Sequence, residues 1–147
     1  MKRFLCFLCC VSLLTIACQR GTLLHSFQPI PHETWGMRDT LSFDVDSLGA
    51  KNAKLFVCLR LTHQYPFRSM WVVVECSGKK CPLQRDSIHI PVMTDDGTSM
   101  GAGVNLIQIE HPVGSIVCND SLRLRLYHIM RREQLPGVSD VGIKIFR

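Results

Sequence analysis

Alternation of apolar and polar residues with a period of two runs through most of the chain, and it constrains the fold more than any other feature. Between residues 39 and 45 the order Asp-Thr-Leu-Ser-Phe-Asp-Val puts Leu41, Phe43 and Val45 on one side, and Thr40, Ser42 and Asp44 on the other. Successive side chains of a strand point to opposite faces, so this pattern fits a strand with one face buried and one wet. Leu55, Val57, Leu59 and Leu61 repeat the alternation. So do residues 86–92, where Pro91 argues for a sheet edge or a strand end. Residues 70–75, Met-Trp-Val-Val-Val-Glu, are apolar on both faces and predict a central strand covered on each side. Residues 104–110, residues 121–127 and a closing segment, 138–146, extend the series.

Turn-forming residues separate these segments: Ser77-Gly78, Asp95-Asp96-Gly97, Pro112-Val113-Gly114, Asn119-Asp120 and Pro136-Gly137. No stretch carries a helical period. Seven to eight short strands predict one antiparallel β-sandwich, jelly-roll or Ig-like, over residues 39–147. Residues 18–38 read as a tether that adds a partial strand around Leu23 to Phe27.

The start of the chain has a different character. Met1-Lys2-Arg3 is positive, and Phe4 to Ala17 is almost wholly apolar. That run is shorter than the roughly 20 residues a ~30 Å hydrocarbon core requires. It has the length and the small closing residue of a secretory signal peptide. The segment Leu14-Thr15-Ile16-Ala17-Cys18 resembles a bacterial lipobox, with Thr15 in place of the usual aliphatic residue. The resemblance implies cleavage before Cys18, a diacylglyceryl thioether on its sulfur and an acyl chain, such as palmitate, on its new amine. Two or more chains, at ~0.8 kcal/mol per buried methylene, hold a protein on a bilayer where one does so only marginally. Residues 1–17 are therefore expected as a lipoprotein signal peptide, 18–38 as the lipidated N-terminus and tether, and 39–147 as the sandwich.

Formal net charge is +5, and losing Lys2 and Arg3 with the leader lowers it by two. No run of Lys or Arg tracks a nucleic acid, so none is expected as a partner. Beyond Cys18 stand Cys58, Cys76, Cys81 and Cys118. An exported chain can oxidise them, and Cys76-Ser-Gly-Lys-Lys-Cys81 is the best candidate disulfide, with Gly-Lys-Lys as a hairpin tip. Cys58 and Cys118 suit small buried hydrophobes. The mature chain has no Cys-x-x-Cys or His-x-x-x-His pair, so neither a metal nor a cofactor is expected.

No enzyme motif appears: no Gly-x-Ser-x-Gly, no His-Glu-x-x-His, no phosphate-cradling loop. Gly101-Ala-Gly103 lacks the strand-to-helix setting of a dinucleotide loop and fits a tight bend. Asp95-Asp96-Gly97 lacks the spaced oxygens and closing glutamate of a calcium loop. His128 falls on the Leu122-Leu124-Leu126 face and could pair with Asp140, yet no nucleophile accompanies it. The most distinctive loop is His63-Gln-Tyr-Pro-Phe-Arg-Ser-Met-Trp71. Its Tyr65, Phe67, Arg68 and Trp71 form a candidate partner or ligand surface, or else the aromatics close one end of the sandwich by burial.

In their order and spacing several short motifs resemble the gliding motility lipoprotein GldH family of Bacteroidetes. They are His25-Ser-Phe-Gln-Pro-Ile-Pro31, Trp35 with Asp39-Thr-Leu-Ser-Phe43, Leu59-Arg-Leu-Thr62, Tyr65-Pro-Phe67, Met70-Trp71, Met100-Gly-Ala-Gly103, Tyr127-His-Ile-Met-Arg131 and Leu135-Pro-Gly-Val-Ser-Asp-Val-Gly142. The resemblance covers nearly the whole chain, although the Cys76 to Cys81 segment has no counterpart in it. It implies a non-enzymatic, membrane-anchored scaffold of the gliding apparatus and its linked secretion machinery, whose partners are membrane lipid and other envelope lipoproteins and proteins. Gln19 after the cysteine, with no acidic residue beside it, points to the outer membrane, facing the periplasm. The rival expectation is a lipid-anchored module binding glycan or peptide, with Trp35, Tyr65, Phe67 and Trp71 as stacking platforms. The Asp-Ser/Thr-aliphatic triplets around Thr40, Ser47, Ser87 and Ser121 also resemble the O-glycosylation signal of this phylum.

Overall fold

The computed structural model describes residues 21–78 and 84–147. Among them the period-two segments become strands, all paired antiparallel. In chain order they are β1 (Thr22–Pro29), a 3-10 turn (Pro31–Glu33), β2 (Thr34–Gly36), β3 (Leu41–Val45), β4 (Ala50–Leu61), β5 (Ser69–Gly78), β6 (Gln84–Pro91), β7 (Ile107–Cys118), β8 (Leu122–His128), β9 (Gln134–Pro136) and β10 (Val138–Phe146).

Eight of these strands form two four-stranded sheets, ordered β1-β10-β4-β7 and β3-β8-β5-β6. The chain changes sheet at each step except the β5–β6 hairpin, which is the jelly-roll form of a sandwich. Leu55, Val57, Leu59 and Leu61 of β4 and Val141, Ile143 and Ile145 of β10 point inward from one sheet and are buried. Phe43 and Val45, Val72 and Val74, Ile88 and Ile90, and Leu122, Leu124 and Leu126 meet them from the other. The core is thus the set of alternate residues already visible as a pattern. β5 lies between β8 and β6, yet its outer face is not covered as its apolar residues predict, since Trp71 is 43% exposed there; β6 ends on Pro91 at a sheet edge.

Three parts depart from the sequence reading. Ser77-Gly78, which reads as a turn, instead continues β5, opposite Arg123 and Leu122 of β8. Residues 104–106 are not strand, and β7 instead runs through Pro112, Val113 and Gly114 to Cys118. That triplet is a bulge rather than a turn: Leu55 faces Gly114 and Phe56 faces Pro112, leaving Val113 as the extra residue. A proline is tolerated there because β7 is an edge strand. The stretch read as a tether enters the sheets from Thr22 onward. β1 pairs with β10 along its whole length, and β2 pairs with β9 as a separate two-stranded sheet, Trp35 opposite Leu135.

These pairings set the two ends of the molecule. Gly21 sits at the Phe146 end, where its carbonyl accepts a hydrogen bond from the Arg147 N–H at 2.7 Å. β1 then runs eight residues, about 26 Å at ~3.3 Å per residue, to the opposite end. There Ile30, β2 and β9 close the sandwich, with Trp35 and Leu135 wholly buried. The loop from Leu61 to Ser69 and the segment after His128 lie at that same end, since Thr62 N–H bonds Gly137 O and Ile129 N–H bonds Trp71 O.

Gly137 is what lets that loop lie against β9. Its φ is +79°, and a Cβ there would stand 2.2 Å from Tyr65 N. Gly49 has a similar φ of +61° with open space around it. Gly137→Ala is expected to cost about 2 kcal/mol or more in urea unfolding, and Gly49→Ala about 1 kcal/mol from backbone strain alone.

Candidate functional site

The four residues of the distinctive loop are divided by the fold. Tyr65 is only 3% exposed, and its hydroxyl donates to Ser69 O at 2.9 Å. Burial pushes its phenol pKa above the usual tyrosine range. Phe67 is half-buried and packs edge-on against Tyr65. Arg68 is exposed, with Asp95 at 3.8 Å. Trp71 is 43% exposed because it points outward from β5, while its neighbours Met70 and Val72 point inward. Trp35 is wholly buried, its indole N–H donating to Asp39 O at 2.9 Å. Of the four aromatics considered as stacking platforms, Trp71 alone is substantially open to solvent.

Trp71 lines a hollow of about 610 Å³ with Phe67, Ile129, Met130, Arg131 and Arg132. Its lining is mostly apolar on the Trp71 and Ile129 side, Ile129 being 44% exposed. Met130 folds back so that its sulfur accepts the Trp71 N–H at 3.3 Å, which fixes the hollow's floor. Arg131 and Arg132 are exposed, and neither forms an ion pair with the described residues. An apolar floor with a cationic rim is suited to an anionic surface that carries an apolar side chain. The sequence reading placed Phe67 and Trp71 in a candidate surface but missed Ile129, Met130, Arg131 and Arg132, because nothing in the Tyr127-to-Arg131 motif says that Ile129 would turn outward.

His128 and Asp140 are not brought together. His128 is wholly buried; its Nε2 lies 3.0 Å from Trp35 O, and its Nδ1 accepts the Met130 N–H at 3.4 Å. These partners assign the neutral Nε2–H tautomer. Asp140 instead accepts the Ser139 hydroxyl at 2.7 Å. His128 is the histidine of a satisfied core, joining β8 to Trp35 and so to the end cap.

The remaining sequence candidates are placed as follows. Cys18 and Cys81 lie outside the described residues, and Cys76 is buried near the end of β5. Thr40, Ser47, Ser87 and Ser121 are all exposed, and Ser47 donates its hydroxyl to Asn119 O. Cys58 is buried although it points to the outer side of its sheet, where His25 and Glu110 bring their ligand atoms within 4.8 Å of its sulfur and of one another. Gly101 to Gly103 forms the expected tight bend, with Ala102 bridging Gln108 in both directions.

Burial depresses the His128 pKa, against weaker opposing effects of the Trp35 carbonyl and Asp39. Its contribution to stability is therefore full above the unfolded value, ~6.5, and is lost as pH falls through the lower folded value. The urea midpoint should drop between pH 7.5 and 5. His128→Gln should be less stable at pH 7.5 and show a flatter pH profile; an unchanged profile would assign the acid sensitivity elsewhere.

Comparison with known proteins finds one family and a curated relative. The GldH lipoprotein family profile matches residues 22–145, from the start of β1 to the penultimate residue of β10. The gliding motility lipoprotein GldH of Flavobacterium johnsoniae is 22% identical over 144 residues, covering 91% of this chain and 90% of that protein. No solved structure gives a significant match.

Proposed function

Because the chain belongs to the GldH lipoprotein family, we propose that it is a non-catalytic scaffold of the gliding-motility apparatus and its linked secretion machinery, anchored through an acylated Cys18. Family membership supports a membrane-attached lipoprotein of a gliding system. The finer reading rests on one observation: the apolar, Arg-rimmed hollow lies at the end of the sandwich opposite the one where β1 begins. An anchor at residue 18 would hold the near end at the bilayer and present the hollow about 26 Å further out, taking the length of β1 at ~3.3 Å per residue. The occupant that suits the hollow is another envelope protein with an acidic, apolar-bearing surface. On this reading the membrane is the outer membrane, and the body faces the periplasm.

No helix of the described residues is long and apolar enough to cross a bilayer. On the proposed reading, attachment is through the lipid on Cys18. Of the four candidate glycan acceptors, Ser47 is the poorest because its hydroxyl is engaged with Asn119 O.

Three variants separate attachment from docking. Cys18→Ser should move the protein from membranes to the soluble fraction with its fold intact. Ile129→Glu should stay on membranes, keep its Tm within a few degrees, and lose co-purifying envelope proteins. Trp71→Ala should weaken that association by about 2 kcal/mol, roughly 30-fold, if Trp71 is a central contact. Complexes that survive both hollow variants unchanged would contradict the docking surface.

A further inference from the structure

The cluster of His25, Cys58 and Glu110 has no part in the docking reading. These residues come from three strands, β1, β4 and β7, and meet on the outer face of one sheet. Along β4 the inward positions are Ala53, Leu55, Val57, Leu59 and Leu61, and the outward ones are Lys54, Phe56, Cys58 and Arg60. Cys58 stands directly opposite Glu110 on one side and Gly142 on the other. Gly142 matters because it removes a side chain between Cys58 and β1. A Cβ there would lie 2.7 Å from Phe27 Cδ1 and 2.4 Å from Ser26 O. Through that gap the side chains of β1 reach across β10, and the His25 and Phe27 rings pack 5.0 Å apart. The Arg60 guanidinium sits 3.8 Å over Phe27 and holds that ring in place.

We propose that His25, Cys58 and Glu110 form a zinc site that clasps the first strand to the middle and far edge of its sheet. The donor set is an imidazole, a thiol and a carboxylate, which suits zinc better than calcium or magnesium. His25 Nε2 is 3.9 Å from Glu110 Oε1, and all three ligand atoms lie within 4.8 Å of one another. Tetrahedral zinc, with bonds of about 2.0–2.3 Å, places its ligand atoms roughly 3.3–3.6 Å apart. Side-chain adjustments of the order of 1 Å would close the site.

The surrounding groups fit this role. Lys144 Nζ holds the other carboxylate oxygen, Oε2, at 2.7 Å and so orients Glu110 without occupying Oε1. Gln108 Nε2 lies 3.2 Å from Oε1 and steadies it from the β7 side. An outer group hydrogen-bonded to the non-ligating oxygen is the usual support for a metal-bound carboxylate. Lys144 also holds the Glu110 carboxyl below its ordinary range, so it is ionised. Burial, with help from Glu110, pushes the Cys58 thiol up to about 12. The metal-free site therefore keeps a proton on sulfur beside a carboxylate. Binding forms bonds to nitrogen, sulfur and oxygen and releases the sulfur's proton to solvent, with no change of oxidation state. Thiolate and carboxylate together balance the dication. The fourth position is left to water.

The test uses the purified, reduced chain titrated with Zn²⁺ against a chromophoric chelator, and separately with Co²⁺. The expected result is one ion per chain and a thiolate-to-cobalt charge-transfer band in the near ultraviolet. Cys58→Ser should abolish that band, and His25→Ala and Glu110→Gln should each weaken zinc binding at least about 10-fold. His32→Ala, exposed and outside the cluster, should leave it unchanged. Apparent affinity should rise with pH, since one proton is displaced. A wild-type chain that gives no charge-transfer band overturns the proposal whatever the variants do. Binding that is equally tight in a folded Cys58→Ser chain also overturns it.

Discussion

Strand β10 is the constraint on which the rest of the structure depends. It pairs with β1 on one side and β4 on the other, and its inward residues Val141, Ile143 and Ile145 are fully buried. The first and last described strands thus meet, and their sheet is complete only when everything from β1 to β10 is available. Pairing of such high sequence separation closes large loops before any contact compensates, which slows folding. The same pairing fixes where the chain enters the body. Because β1 lies flat along β10 rather than hanging free, the entry point is tied to one end and every other feature has a defined distance from it.

The far end is built around a second small unit. Trp35 of β2 and Leu135 of β9 are paired and buried, and the Trp35 carbonyl meets the ring of His128. Tyr65 packs beneath the same cap. This end is rigid for a physical reason: its polar atoms, the His128 nitrogens, the Trp35 indole and the Tyr65 hydroxyl, each have a backbone partner. Buried polar groups that are satisfied specify one arrangement, where unsatisfied ones would loosen it. Trp71 and Ile129 stand on that rigid base while facing solvent, which is the combination a docking surface requires.

Much of the fold was legible in the sequence because alternation is a direct consequence of a sheet with one buried face. Leu55 to Leu61 and Leu122 to Leu126 reveal both strand and orientation without further information. The signal fails where geometry is local. Val104-Asn-Leu106 alternates, yet Val104 is 83% exposed in a bend. Pro112 and Gly114 carry turn chemistry that an edge strand absorbs as a bulge. β2 and β9 are three residues each, too short to show a period. At the candidate surfaces the limit is different. Tyr65, Phe67, Trp71 and Trp35 are chemically alike, and only sheet orientation and the end cap decide which of them meets water. His25, Cys58 and Glu110 share no local spacing, so their meeting follows from strand order alone, with Gly142 as the one residue that hints at it.

On the proposed reading, the acylated end and the Trp71 hollow are opposite ends of one sandwich. Tryptophan fluorescence of the acylated chain on vesicles tests it directly, since Trp35 is sealed and Trp71 is open. Acrylamide in the water is expected to quench the Trp71 emission while brominated lipid leaves it untouched. Quenching by the brominated lipid, with loss of acrylamide access, would place the hollow against the membrane and contradict the account.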